Sequence, residues 1–213
     1  MLWTITAVLI SYLVGSIPTA YIFGMVLKGV DIRKFGSGNV GATNALRLLG
    51  KTAGITVLIL DILKGFLAVF VLGGLLKNKV IFAQDLFLIA LGVAAICGHN
   101  WTVFLNFKGG KGIATTFGVL IAFAFNIPGL NLILGLTILT WIVSFLIIRV
   151  VSFSSVTAAI SLPIYMALFK QPRLMLYTAI LLSVFVILRH KSNLVRLLKG
   201  EEKRLNFSKK PKN

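Results

Sequence analysis

The sequence predicts an all-α integral membrane protein with seven transmembrane helices, an N-terminus outside the cell and a cytoplasmic C-terminus. Two observations predict this class: the composition of the 213 residues and the spacing of their apolar runs. Hydrophobic residues make up 58% and charged residues 13% of the chain, and its mean hydropathy is +0.98. Soluble domains contain about 45–50% apolar and about 25% charged residues. This chain therefore has too little charge for a water-soluble surface, and its single cysteine excludes a disulfide-rich secreted fold.

Seven apolar runs alternate with polar connectors, and a bilayer-crossing helix needs about 20 mostly apolar residues. The runs are residues 2–27, 52–76, 80–97, 112–127, 130–148, 150–169 and 174–188. The first run lacks the basic start of a signal peptide, so we interpret it as a retained span with a kink at Pro18. The fourth is short and ends at the turn-forming pair Pro128-Gly129. We interpret residues 1–213 as one membrane domain that ends in a basic cytoplasmic tail, residues 200–213.

The distribution of charge predicts the orientation. The chain carries 22 Lys and Arg against 5 Asp and Glu, which gives a net charge of +17. Seventeen of the basic residues fall on one side of the predicted membrane, four fall on the other, and Lys64 lies within the second run. By the positive-inside rule the richer side is cytoplasmic. Basic loops there would contact anionic head groups, so we expect the bilayer and no nucleic acid as a partner. Residues 201–213 are interpreted as a solvated tail with no chemical role.

Three polar, glycine-rich segments fall on the predicted cytoplasmic side and predict one composite site at the inner membrane face. They are residues 35–47, 98–115 and 189–202. In the first segment, glycines among small hydroxyl and amide residues allow tight turns whose backbone N–H groups could bind an oxyanion. Asn44 could cap a helix that reaches Lys51, and the guanidinium of Arg47 would then lie one turn into that helix as an anion-binding fork. The alternative is a flexible connector.

The second segment contains Gly-Gly-Lys-Gly at residues 109–112, directly before the fourth run. Backbone N–H groups, the positive end of a helix and the Lys111 ammonium could together bind a phosphate there. This stretch is not a Walker A loop, because Leu105 and Gly112 occupy the positions of the required glycine and hydroxyl residue. ATP hydrolysis is therefore unsupported. His99, at a predicted helix end, could be a general base, a ligand or a structural residue.

The third segment predicts a short amphipathic helix at the membrane interface. If it is helical, His190 and Asn193 share a face at a spacing of i, i+3, while Leu194, Leu197 and Leu198 form an apolar stripe. The alternative is a basic stop segment that follows the last span.

Other chemistries are disfavoured by the residue types present. Two histidines, one cysteine and scattered carboxylates cannot supply a metal centre of three or four ligands. The paired-carboxylate and Ser-His-Asp templates also fail, because the only acids in these segments are Glu201 and Glu202 at the end of the third. Asp61 and Lys64, three residues apart in the second run, are expected to pair within the membrane in a structural role, and we leave them out of the site.

Together the three segments carry a recognisable set of motifs. They are Ser-Gly-Asn-Val-Gly-Ala-Thr-Asn-x-x-Arg from Ser37, Gly-His-x4-Phe-x-x-Phe-Lys-Gly-Gly-Lys-Gly-x-Ala-Thr from Gly98, and Arg-His-x-x-Asn-x-x-Arg-Leu-x-x-Gly-Glu-Glu from Arg189. A further match, Asp-Ile-Leu-Lys-Gly at residues 61–65, lies in the second run. In content and order, and over nearly the whole chain, these motifs closely resemble those of the bacterial acyl-phosphate:glycerol-3-phosphate acyltransferases.

The resemblance implies a seven-helix enzyme of the bacterial inner membrane, with its N-terminus outside and its active site on the cytoplasmic face. Members of this family transfer a fatty acyl group from acyl phosphate to the 1-hydroxyl of sn-glycerol 3-phosphate. The products are lysophosphatidic acid and phosphate, in the first acylation of phospholipid biosynthesis. The resemblance implies no cofactor, no metal, and neither acyl-CoA nor acyl carrier protein as donor. It also implies contact with the soluble enzyme that makes acyl phosphate. The competing classes are a small-anion transporter, which would usually show broken helices and internal repeats, and a non-catalytic scaffold.

All the site residues except Ser155 come from the matched motifs. The predicted catalytic residues are Ser37, Lys111, His190 and Asn193. The predicted substrate-binding residues are Ser37, Gly38, Asn39, Thr43, Asn44, Arg47, His99, Lys108, Gly109, Gly110, Lys111, Ser155 and Arg196. Arg47 and Lys111 are expected to hold phosphate groups, with help from backbone N–H groups of Gly38, Asn39, Gly110 and Lys111.

The role of His190 has two alternatives. It could take the proton of the attacking hydroxyl as a general base. Otherwise a donor phosphate oxygen takes that proton and His190 positions the substrate. We favour positioning, because a nearby phosphate dianion keeps an imidazole protonated and makes it a poor base.

Overall fold

The structure is a computed structural model that describes residues 2–76, 79 and 83–205. Every regular element in this part of the chain is helical, as the sequence predicts. The described α-helices are α1 (Leu2–Ser16), α2 (Thr19–Lys28), α3 (Ala42–Leu49), α4 (Lys51–Leu76), α5 (Gln84–Asn100), α6 (Ile113–Ala124), α7 (Leu130–Ile148), α8 (Val151–Leu168), α9 (Arg173–Arg189) and α10 (Lys191–Leu198). Short 3₁₀ turns, Ile32–Lys34 and Val103–Leu105, precede the first polar segment and lie in the second.

Five helical stretches of the described chain are long and apolar enough to cross a bilayer. They are Leu2–Lys28, which joins α1 and α2, then α4, Gln84–Leu105, α7 and α8. Helices α9 and α10 meet at 58° and make a sixth span if the bent pair is taken as one. Helix α6 has 12 residues, or about 18 Å, which is shorter than a bilayer core of about 30 Å. An all-helical membrane fold with five or six candidate spans is therefore supported, and the seventh span stays a prediction.

Sequence signals place most helix ends correctly. Pro18 separates α1 from α2, because proline lacks the N–H that would continue the helix. Helix α7 begins and ends where predicted. Helix α5 extends beyond its predicted end to Asn100, and the N–H of Trp101 donates to the carbonyl of Cys97 (2.8 Å) to close its last turn. The start predicted for this run, at residues 80–82, lies outside the described residues.

The chain divides into two compact units, with the boundary after Phe123. In the first unit, small residues let α1 and α5 approach closely: a side chain at Gly15 would overlap the backbone of Ala95. Across the same contact, the hydroxyl of Ser11 donates to the carbonyl of Leu91 (2.6 Å). Small residues and interhelical hydrogen bonds are the usual basis of helix association in membranes.

The second unit contains helices α7 to α10. The hydroxyls of Thr140 and Tyr165 are hydrogen-bonded at 2.9 Å between α7 and α8. Trp141 Nε1 donates to Ser155 Oγ (3.3 Å) across the same pair of helices. The predicted substrate-binding residue Ser155 is therefore buried between α7 and α8, where its hydroxyl accepts a hydrogen bond from an indole.

The chain after α10 packs against the protein, contrary to its prediction as a solvated tail. Gly200 has φ 73°, in the left-handed region, and turns the chain at the end of the helix. The N–H of Leu205 then donates to the carbonyl of Arg149 (2.9 Å), and the Glu202 side chain is only 7% exposed. The interpretation of residues 201–213 as a solvated tail without a role is therefore wrong for Glu202 and Leu205, whereas Glu201, Lys203 and Arg204 are exposed as expected. Residues 206–213 lie outside the described residues.

Candidate active site

The side chain of Asn44 holds the first polar segment in place. Its Oδ1 accepts the N–H of Ser37 (3.0 Å), and its Nδ2 donates to the carbonyls of Ile32 and Phe35 (both 3.1 Å). Three hydrogen bonds from one fully buried amide order this turn. A flexible connector, the alternative from the sequence, does not fit this arrangement. Asn44 supports the loop that carries Ser37, whose own side chain is exposed.

Helix α3 differs from its prediction in both ends. Gly41 occupies the N-cap and Asn44 lies in the first turn, so the expectation that Asn44 caps the helix is wrong. The helix ends at Leu49, before the predicted end. Thr43 is half-buried in the first turn, and Arg47 is half-buried in the last turn. Arg47 therefore extends from a helix rather than from a loop.

The glycine amides of the first segment are used within the protein. Gly38 has φ 69°, which glycine adopts without strain. Its N–H donates to the carbonyl of Phe35 (2.9 Å), and the N–H of Asn39 donates to Ser37 Oγ (3.4 Å). In this structure the Gly38 amide is used by that carbonyl, so its predicted contact with a phosphate would require this hydrogen bond to be exchanged and stays a prediction. The side chains of Ser37 and Arg47 remain the candidate phosphate ligands of this segment.

The glycines of the second segment pack against the last turn of α5. The N–H groups of Gly109 and Gly110 donate to the carbonyls of Asn100 (3.2 Å) and His99 (2.9 Å). A side chain at Gly109 would overlap the His99 carbonyl, and one at Gly110 would overlap the His99 ring. These glycines therefore permit a close approach and satisfy carbonyls at a helix end. The Gly110 amide is thus used within the protein in this structure, and its expected role as a phosphate ligand stays a prediction.

The first two segments meet within the first unit. The carbonyl of Val40 lies against Gly110, where a Cβ would be 2.8 Å from the oxygen. Val40 and Leu105 also belong to one buried apolar cluster. Lys108 is exposed and Lys111 is half-buried on either side of the glycine pair. Two segments that each carry cationic side chains are thus parts of one packed unit, as a phosphate site made from both would require.

A buried polar cluster joins α2, α4 and α5 in the same unit. Asp61 Oδ1 accepts the hydroxyl of Thr19 (2.6 Å) and pairs with Lys64 Nζ (2.7 Å), so the predicted ion pair is confirmed. Lys64 Nζ also donates to the carbonyl of Ile17 (2.8 Å). His99 Nδ1 lies 3.7 Å from the same oxygen of Asp61. His99, which the sequence left with three possible roles, is buried between this carboxylate and the glycine pair.

Asn100 is a polar residue that sequence reasoning missed. Its side chain is 1% exposed, and neither atom of its amide has a hydrogen-bond partner among the described residues. Gly112, with φ 79°, approaches it so closely that a Cβ would be 2.8 Å from Asn100 Oδ1. Buried amides are nearly always paired, so this group is unusual. The sequence did carry one sign of this residue, because Asn100 is an asparagine that closely follows an apolar run.

The third segment forms the predicted short helix, α10, in the second unit. His190 precedes it, and its Nδ1–H donates to the carbonyl of Val186 (2.8 Å). That hydrogen bond makes Nε2 the acceptor nitrogen of the neutral ring. Asn193 lies one turn later on α10, and both His190 and Asn193 are buried. The alternative of a basic stop segment does not account for this burial.

Glu202 organises the third segment. Its Oε1 accepts hydrogen bonds from Ser152 Oγ (3.0 Å) and Asn193 Nδ2 (2.6 Å), and its Oε2 accepts one from Arg196 Nε (2.9 Å). Burial tends to raise the pKa of this carboxyl, but the hydrogen bonds from Asn193, Arg196 and Ser152 hold the pKa below its usual value. Glu202 was not among the predicted site residues, although it closes the third motif and is one of only 5 acidic residues.

Apolar helices with polar, cationic segments at their ends define a multi-pass membrane protein with a candidate site for phosphorylated molecules. Within the described chain, no three His, Cys, Asp or Glu side chains are grouped as metal ligands. The family model of glycerol-3-phosphate acyltransferase matches residues 5–200. The chain therefore belongs to the glycerol-3-phosphate acyltransferase family, and it is an acyltransferase of the membrane type.

Individual relatives support this assignment over nearly the full chain. The glycerol-3-phosphate acyltransferase of Desulforamulus reducens is 41% identical over 206 residues, which cover 97% of each chain. That of Rippkaea orientalis is 43% identical over 216 aligned positions, covering 96% of this chain and 95% of the relative. Crystal structures of PlsY, an integral membrane glycerol 3-phosphate acyltransferase, are similar in fold. Its glycerol 3-phosphate form has a TM-score of 0.83 at 39% identity, covering 95% of this chain and 96% of PlsY. Its lysophosphatidic acid form has a TM-score of 0.80 at 38% identity, covering 96% of both.

Proposed function

We propose that this protein transfers a fatty acyl group from acyl phosphate to the 1-hydroxyl of sn-glycerol 3-phosphate, giving lysophosphatidic acid and phosphate. The observation that carries the proposal is the packing of two cation-bearing segments against each other through Val40 and Gly110. Donor and acceptor both carry phosphate, for which Arg47 and Lys111 provide charge-assisted hydrogen bonds. PlsY, which is similar to this chain, has been crystallised in forms with the corresponding acceptor and product.

The proposed reaction depends on positioning rather than on an enzyme nucleophile. The acyl carbon of acyl phosphate is already activated as a mixed anhydride. The acceptor hydroxyl forms the new ester bond to that carbon while the bond from the carbon to the phosphate oxygen breaks. Cations that hold both phosphates bring the hydroxyl to the acyl carbon and stabilise the charge on the leaving phosphate. The hydroxyl proton goes to the departing phosphate, so the proposal needs no covalent intermediate and no cofactor.

The test is an assay of the purified protein with glycerol 3-phosphate and each of three acyl donors. We expect lysophosphatidic acid from acyl phosphate and none from acyl-CoA or acyl carrier protein. Product formed only from acyl-CoA would overturn the choice of donor. Uptake of glycerol 3-phosphate into sealed vesicles without any acylated product would instead support a small-anion transporter.

We propose a positioning role for His190 in this reaction, with the donor phosphate as the proton acceptor. The hydrogen bond from Nδ1 to the carbonyl of Val186 fixes the orientation of the ring, as a positioning role requires. We expect His190→Gln to lower kcat but to retain the limb of the pH–rate profile that the wild type shows near neutral pH. Lys191→Gln, at the exposed neighbouring position, is the control and should keep both rate and profile. Loss of the neutral limb in His190→Gln alone would identify His190 as the general base.

The finer topology is also a proposal: seven spans, an external N-terminus, and all three polar segments on the cytoplasmic face of the bacterial inner membrane. This face would be open to the soluble enzyme that makes acyl phosphate, which we propose as a partner. In a variant without Cys97, single cysteines at Ser37, Asn106 and Ser192 should resist an impermeant reagent added to intact cells and react after permeabilisation. A cysteine at Lys170 should react from outside. Labelling of any of the first three in intact cells would contradict the seven-span topology.

A further inference from the structure

We propose that Asp61 is a positioning residue that acts through His99 on the stretch of residues 108–112, and so on the Lys111 ammonium. Charged groups within membrane spans are rare, and when present they usually have a function. Asp61 and Lys64 are 1% and 6% exposed in the middle of α4. A structural ion pair would require only these two residues. The carboxylate, however, has further neighbours that an isolated pair does not explain.

The neighbours of Asp61 come from three helices. Thr19 of α2 donates a hydrogen bond to Oδ1 at 2.6 Å, and Lys64 pairs with the same oxygen at 2.7 Å. His99 of α5 places Nδ1 3.7 Å from that oxygen, which is an electrostatic contact rather than a hydrogen bond. The carboxylate thus lies on one side of the imidazole and favours an orientation that turns Nδ1 towards it.

The opposite side of the His99 imidazole contacts Gly110 of the glycine pair. A Cβ at Gly110 would overlap His99 Nε2, so the glycine backbone and the ring are in direct van der Waals contact. The His99 carbonyl also accepts the N–H of Gly110 (2.9 Å). Ring and backbone of one residue therefore hold Gly110 at two points. Lys111 is the next residue along the chain, and its backbone position follows that of Gly110.

The consequence concerns substrate binding, and it rests on the proposed role of Lys111 as a phosphate ligand. If Asp61 no longer orients His99, the ring can turn, and residues 108–112 lose the surface against which they pack. An error of about 1 Å in the position of a binding group is enough to change kinetics by large factors. Because Lys111 would hold the phosphate in the ground state and in the transition state alike, the expected defect is in KM more than in kcat.

The variant that tests the proposal is the double replacement Asp61→Asn/Lys64→Met. Removing both charges together avoids the large destabilisation that follows when one charge of a buried pair is left alone. His99→Gln tests the same contact from the other helix, and the triple variant tests whether the two act through each other. Asp85→Asn, the same change in the exposed first turn of α5, is the matched control.

We expect the double variant and His99→Gln each to raise by about tenfold the KM for the substrate whose KM rises most in Lys111→Ala, with kcat within about threefold of the wild type. The KM of the triple variant should be at most about twofold higher than the larger of these two KM values, because the effects of coupled residues are not additive. Asp85→Asn should match the wild type. A purely structural role would instead lower the thermal midpoint and the yield of folded enzyme while leaving KM unchanged.

Two results would overturn the proposal: a folded double variant or His99→Gln whose KM stays within about twofold of the wild type, or defects that multiply in the triple variant. If the double variant does not fold, the KM of His99→Gln alone tests the proposal.

Calorimetric binding of glycerol 3-phosphate is measured in parallel with every variant. If the wild type binds glycerol 3-phosphate but does not use acyl phosphate, the proposed donor is overturned. The calorimetric comparison of the variants would still test the role of Asp61. A wild type that binds no glycerol 3-phosphate would overturn the proposed function itself, and this inference with it.

Discussion

Replacing Arg47 or Lys111 by alanine is expected to lower kcat/KM for glycerol 3-phosphate by at least about tenfold, because a hydrogen bond to a charged group contributes roughly 1.5–3 kcal/mol. Arg47 extends from the last turn of α3, and Lys111 follows the glycine pair that packs on α5. Each residue would hold a phosphate group of donor or acceptor. Steady-state kinetics with both substrates varied would show which phosphate each cation binds, since KM for that substrate should rise most.

The control for this prediction is Lys34→Ala. Lys34 is an exposed cation just before the first segment, and its replacement removes one positive charge from a neighbouring part of the chain without changing the proposed ligands. We expect its kcat/KM to stay within about twofold of the wild type, since exposed charges contribute little. Arg47→Lys should fall between wild type and Arg47→Ala, because lysine keeps the charge but loses the planar fork. Near-normal kinetics for both Arg47→Ala and Lys111→Ala would contradict the assignment.

The second large effect is expected at Glu202. The Glu202 carboxylate accepts hydrogen bonds from Ser152, Asn193 and Arg196. In Glu202→Gln an amide replaces it, and the NH₂ group of that amide cannot accept a hydrogen bond from these donors. We expect the free energy of unfolding to fall by roughly 1.5–3 kcal/mol, the usual contribution of hydrogen bonds to a charged group. Activity should fall with it, because Asn193 and Arg196 lose the group that orients them.

Glu201→Gln is the matched control for Glu202→Gln. The two residues are neighbours with the same side chain, but Glu201 is exposed. Thermal and denaturant unfolding of the purified proteins in detergent should separate them, with Glu201→Gln close to the wild type. Equal stability of the two variants would mean that the hydrogen bonds to Glu202 do not contribute to the folded state.

The contribution of Glu202 should also depend on pH with a definite sign. The folded protein holds the pKa of this carboxyl below its ordinary value of 4.5. The stabilisation is therefore fully present at neutral pH, and it is lost as the pH falls below that value and through the folded-state pKa. The difference in stability between the wild type and Glu202→Gln should accordingly shrink on acidification below about pH 4.5. A difference that is independent of pH would contradict this account.

The sequence by itself determined the helices of this protein. A bilayer offers the backbone no water, so each spanning segment must satisfy its own N–H and carbonyl groups as a helix. The lengths of the apolar runs were therefore enough to predict α4 and α7, and Pro18 was enough to predict the break between α1 and α2. The same reasoning placed Lys111 before the fourth run and outside the hydrocarbon core. Arg47 was predicted one turn into its helix and instead lies in the last turn.

Only the tertiary structure decided which polar groups the protein uses internally. The amides of Gly38 and Gly110 stand in stretches typical of phosphate loops, yet they donate to the carbonyls of Phe35 and His99. Asn44 has the residue type of a helix cap, yet its amide holds the preceding turn. A composition typical of anion-binding loops is also typical of tight turns, because both need small residues and glycine.

Buried charges show the same limit over longer distances along the chain. Glu202 was taken for part of a solvated tail, but it contacts Ser152, fifty residues earlier. Asp61 and Lys64 were predictable as a pair within one helix, whereas the approach of His99 from another helix was not. The energy of a buried charge depends on every group packed around it. A sequence motif shows only the residues that are close to a charged group along the chain. The groups that pack against it from other helices are known only from the fold.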